Sequence, residues 1–115
     1  MKKYLVKLIF NVITADGAEA SQFDEQFRIV ESHELENAFY KARNIGKKEE
    51  ESFVDAQNRL VTWKFIDVAE VYPLEHLGDG EQVYSSTHET KDAQSFISYI
   101  RRKSMEIQAK SLTFA

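Results

Sequence analysis

Phe23-Asp24-Glu25-Gln26-Phe27-Arg28-Ile29-Val30-Glu31-Ser32-His33-Glu34-Leu35-Glu36-Asn37-Ala38-Phe39-Tyr40-Lys41-Ala42-Arg43-Asn44-Ile45-Gly46 passes from strand to helix in one sweep, and its reading decides the fold. Up to Glu31, Phe23, Phe27 and Ile29 alternate with Asp24, Gln26 and Arg28, the period-two pattern of a half-buried strand. Ser32 then offers a hydroxyl that can accept a first-turn backbone N–H. Leu35, Ala38, Phe39, Ala42 and Ile45 recur at helical spacing and predict a stripe facing the core. Gly46 reads as the stop, because glycine takes the left-handed conformation after a last turn, and Lys47-Lys48 suit the negative end of the helix dipole.

Working outward from this unit, Tyr4 to Thr14 reads as a long strand apolar on both faces. Tyr4, Val6, Leu8, Phe10 and Val12 share one face, and Leu5, Ile9 and Ile13 share the other with Lys7 and Asn11. Asp16-Gly17 signals a turn, so the first two strands form an antiparallel hairpin with a long loop. Downstream, Ser52 to Ala56 is a short strand and Gln57-Asn58-Arg59 a turn. Leu60 to Tyr72 is a long strand, with Val61, Trp63, Phe65, Ala69 and Val71 on one face and Thr62, Lys64, Ile66, Val68 and Glu70 on the other. Asp67 falls on the Trp63 face and marks either a bulge or the point where the strand leaves the core. Pro73 ends the strand, since it cannot donate to a ladder. Gln82 to His88 reads as a last strand. Thr90 or Asp92 caps a second helix with Ala93, Phe96, Ile97, Ile100, Ser104 and Ile107 on its inner stripe.

The expected fold is therefore α+β, ordered β-β-α-β-β-β-α: a mainly antiparallel sheet of about five strands with both helices on one face. One domain over 1–109 and a tail over 110–115 are expected. The far sheet face keeps Ile66 and Val68, which calls for a cover, and a second subunit is the economical one.

Composition narrows the function. The chain has 115 residues, 43% apolar and 12% aromatic, which suffices for a core without staples. It has no cysteine, so disulfides, thiolate metal sites and a cysteine nucleophile are excluded. The net charge of −4 disfavours nucleic acid, which needs cations to displace phosphate counterions. Charge is uneven: Asp16 to Glu51 carries net −5, and Arg101 to Ala115 net +3. Lys2-Lys3 before Tyr4 to Ile13, with Ala18-Glu19-Ala20 behind, mimics a secretory leader. Lys7 and Asn11 interrupt it, and no run reaches the roughly 18 apolar residues of a membrane span, so a cytoplasmic protein is expected without a membrane partner.

Several stretches together resemble a small bacterial family catalogued as a domain of unknown function. They are Tyr4-Leu5-Val6-Lys7-Leu8-Ile9-Phe10, Gln22-Phe23-Asp24-Glu25-Gln26, Ala38-Phe39-Tyr40-Lys41-Ala42-Arg43, Trp63-Lys64-Phe65-Ile66-Asp67-Val68 and Asp79-Gly80. The resemblance covers nearly the whole chain and implies a stand-alone bacterial domain. It brings no mechanism.

No catalytic set emerges. Asp24 and Glu25, with Asp16 and Glu19 nearby, supply hard oxygens for a divalent cation, but not at the spacing of a calcium loop. A strand also sends neighbouring side chains apart, and a solvated strand face is the simpler reading. His33, His76 and His88 lack metal-ligand spacing, and the glycines at 17, 46, 78 and 80 form no phosphate loop. Ser85-Ser86 lacks a nucleophile elbow. Trp63 reads as core beside Phe65. No cofactor is expected.

The candidate interaction surface comprises Asp24, Glu25, Gln26, Glu34, Glu36, Ile66 and Val68. The leading expectation is a non-catalytic protein-interaction or accessory domain that self-associates as a homodimer. An immunity-like or antitoxin-like inhibitor of a basic toxin, using Asp24, Glu25, Glu34, Glu36 and Glu49 to Glu51, is the first alternative. A small-ligand binder or enzyme using Asp24, Glu25 and a histidine is the second.

Overall fold

The computed structural model describes residues 1–15 and 21–114. The Asp16-Gly17 turn, the Ala18-Glu19-Ala20 stretch and two acids of the cation cluster, Asp16 and Glu19, lie outside the described residues. The elements are β1 (Lys2–Thr14), β2 (Gln22–Ser32), α1 (Leu35–Lys48), β3 (Glu51–Val54), β4 (Leu60–Leu74) and α2 (Ala93–Phe114). The chain divides into two compact units, Met1–Tyr84 and Ser85–Ala115.

The first unit is an antiparallel sheet of four strands, ordered β2-β1-β4-β3. The α+β class and the antiparallel sheet stand, but the strands number four and not five. Gln82 to His88 forms no strand; its apolar residues, Val83 and Tyr84, are adjacent and are followed by Ser85, Ser86 and Thr87, so no alternating apolar face exists. Of the two expected helices, α1 packs on the sheet of the first unit, and α2 forms the helix of the second.

The core lies between α1 and one sheet face. Tyr4, Val6, Leu8 and Phe10 of β1 are buried there with Val30, Phe65, Ala38 and Ala42. The helix buries its smallest residues: Ala38, Ala42 and Gly46, four apart, bring its backbone close to the sheet. Leu35 is exposed, and Phe39 and Ile45 are half-buried. Gly46 does not end the helix, which runs on to Lys48. It is glycine because a Cβ there would land on the Phe65 ring. Ser32 is not the cap; it closes β2, buried, and Glu34 stands at the N-cap without a side-chain capping bond. Trp63 is half-buried against the core, its ring 6.0 Å from that of Phe10.

β4 departs from simple alternation. Register shifts fall between Lys7 and Leu8 and between Ile9 and Phe10, so Ala69 and Ile66 have no partner across the ladder. Of the two readings of Asp67 the bulge is the one observed: the unpaired residues flank it, and parity is reversed between them. Leu8 pairs with Val68, which packs against the core instead of sharing an outer face with Ile66. Pro73 lies within β4, one residue from its end, on the partner of Tyr4. The β3–β4 turn is organised by the Asp55 carboxylate, which accepts the N–H groups of Gln57 (3.0 Å) and Arg59 (2.9 Å). Asn58 takes φ +62° there, a conformation asparagine tolerates.

In the second unit Asp92 caps α2, accepting the Ser95 N–H at 3.0 Å and its hydroxyl at 2.6 Å. The helix continues through residues from Lys110 that the sequence suggested as tail.

Candidate functional site

The β1–β2 register decides what the first unit presents. It sets Asp24 opposite Phe10, Gln26 opposite Leu8 and Arg28 opposite Val6, which places these polar residues on the helix-covered face. They satisfy one another along it. Gln26 donates to Asp24 at 2.7 Å, Arg28 donates to Gln26 at 2.6 Å, and Arg28 pairs with Glu49 just beyond α1. Phe23, Phe27 and Ile29 therefore point away from the core, 58%, 46% and 59% exposed. The alternation in β2 is as expected, with its apolar side turned outward.

That open face has a partly built centre. Leu5, Lys7 and Ile9 of β1 are half-buried opposite Ile29, Phe27 and Glu25. Lys7 Nζ lies 3.1 Å from Glu25 Oε1 and 5.5 Å from the centre of the Phe27 ring. The Glu25 hydrogen bond raises the Lys7 pKa, so the ammonium is kept charged. After β4 the chain brings Tyr84 onto this face. Its ring is 4.9 Å from Phe27 and 5.5 Å from Tyr72, in tilted and edge-on contact. Desolvation, then the Glu70 charge, pushes the Tyr72 phenol above its ordinary pKa, keeping it a neutral hydrogen-bonding group. Glu70 Oε2 is buried without a hydrogen-bond partner among the described residues.

The nominated surface residues do not converge. Asp24 and Gln26 stand together on the helix side, Glu25 is on the open face, and Glu34 and Glu36 lie exposed at the start of α1. Val68 is core. Ile66, at the bulge, lines a shallow depression of about 370 Å³ with Arg43, Lys47, Glu50, Phe65 and Asp67. There Arg43 grips Asp67 with two bonds, 3.1 and 3.0 Å, and Glu50 accepts the Phe65 N–H at 3.0 Å. These groups are occupied with each other. His33 and His76 are exposed in the first unit; His88, in the second, stacks edge-on against Phe96 at 5.2 Å. No group of three or more metal-ligating side chains gathers among the described residues. No helix there is long and apolar enough to cross a membrane.

Lys7, Phe27, Tyr72 and Tyr84 were not nominated from sequence. A lysine inside an otherwise apolar strand was the available signal, since it must find a partner or solvent.

Fold and site together define, in the first unit, a small α+β domain with one sheet face covered by α1 and the other free of any helix of that unit. The chain belongs to the family described as Domain of unknown function (DUF4288), whose model matches residues 3–85. No curated protein and no solved structure matches it.

Proposed function

We propose that this protein is a non-catalytic protein-interaction module of the bacterial cytoplasm whose working surface is the open sheet face. The observation that carries this reading is the exposure of Phe23, Phe27 and Ile29 on one face of β2, Phe27 next to Ile29 and Phe23 beyond Glu25, beside half-buried Leu5 and Ile9. Exposed apolar side chains grouped on one face and interleaved with charge are the pattern of an interaction site. The acids nominated for gripping a basic toxin support that role less well, because Asp24, Glu25 and Glu49 are engaged within the chain. The test is capture from native cytosol with the wild-type chain and with Ile29→Glu, after circular dichroism shows the variant folded. A stoichiometric partner, or the chain's own untagged copy, held by wild type and lost by the variant supports the reading. Equal recovery by both overturns it.

A further inference from the structure

The open face has a size and a charge pattern that select among occupants. The four strands, of 13, 11, 4 and 15 residues, lie side by side. At about 3.3 Å per residue and 4.8 Å between strands, the face projects to roughly 700 Å². That approaches the ~800 Å² each partner contributes to a stable interface of standard size. The face is also electrically balanced. The register sets Lys3 beside Glu31 and Lys7 beside Glu70, with Glu25 and Lys64 further along; a fourth acid, Asp67 opposite Ile9, is already neutralised by Arg43. The whole chain carries −4, so this surface is freer of like-charge repulsion than the molecule at large. A strongly basic or acidic partner finds no complementary field here, whereas an apolar face interleaved with both signs fits another of its kind.

Resting on the reading of this face as an interaction surface, we infer that its occupant is a second copy of this chain, packed face to face on the same surface. Phe23, Phe27 and Ile29 of one protomer are covered by the sheet of its partner, giving a closed, isologous dimer. Neither β2 edge nor helix α1 is needed in the contact.

Sedimentation velocity of the full chain across micromolar to sub-millimolar concentrations tests this. The expected result is a dimer, with Ile29→Glu and, separately, Phe23→Glu weakening it by about 100-fold or more, because each buries an uncompensated carboxylate. Both positions are exposed within the chain, so both variants keep the fold, as circular dichroism and thermal melts verify. A wild-type chain monomeric throughout overturns the inference, as does a dimer that survives both substitutions. A monomer whose capture of a different protein still depends on Ile29 overturns the second-copy assignment alone. Capture independent of Ile29 overturns the underlying reading of the face.

Discussion

Gly46 illustrates how one residue can be recognised as special for the wrong reason. In sequence it marks a helix end, because most helix-terminal glycines supply a left-handed backbone. In the fold it is buried within α1, and its missing side chain is the space the Phe65 ring occupies. Replacement by alanine gains helix propensity of about 1 kcal/mol, yet forces the helix off the sheet. Overpacking outweighs the gain, and Gly46→Ala is expected to lower stability by about 1–3 kcal/mol in urea titration. Asp67 gives a pH-dependent counterpart. Hydrogen bonds from Arg43, then from the Val68 N–H, hold its carboxyl below the usual carboxylate range. A depressed native pKa stabilises the fold above the unfolded value, and that contribution disappears as pH falls through the native one. Asp67→Asn should therefore be less stable than wild type at pH 7. The gap should narrow on acidification below about pH 4, where the unfolded carboxyl titrates. Urea midpoints at pH 7 and pH 3 read this directly; a gap independent of pH would mean the Arg43 pair contributes nothing.

Strands show where sequence patterning stops being informative. The alternation of β2 was legible, and so was the break at Asp67 in β4. Which side of β2 faces the helix was not, because period two fixes parity and leaves the sign to strand pairing. The usual inference buries the apolar side, but here Asp24, Gln26 and Arg28 satisfy one another beside α1 and leave Phe27 and Ile29 outside. In β4 the two unpaired residues shift parity between Phe65 and Val71, so reading the strand straight through misplaced Val68. The contrast is measurable. Val68→Ala should cost about 1–2 kcal/mol, from lost methyl burial in the core, whereas exposed Ile66→Ala should cost less than about 0.5 kcal/mol. Equal losses would argue for uninterrupted alternation. The extent of α1 was legible to within a few residues, because its apolar spacing is regular. Its cap was not: Ser32 has suitable chemistry but is held in the β2 ladder opposite Lys2.

Taken as a whole, the chain has a boundary that composition did not announce. The family match ends at residue 85 and the first compact unit at Tyr84, with no proline-rich or glycine-rich linker to mark the place. The first unit holds the described core cluster, so residues 1–84 should fold alone and unfold cooperatively, which denaturant titration of that fragment tests. A broad, non-cooperative transition would show that residues beyond Tyr84 are required. The α+β class was readable from the sequence because a strand pattern and a helix pattern adjoin within 24 residues. The open face was readable only in part, since Tyr84 reaches Phe27 across 57 positions and local periodicity cannot foresee such a contact. The position of Trp63 has a further, optical use. It is the chain's single indole, half-buried against Phe10 in the first unit. Its emission therefore reports the sheet and helix of residues 1–84, while far-ultraviolet dichroism also registers the 22-residue helix beyond them. One unlabelled sample, watched with both signals, reveals whether the two halves melt together.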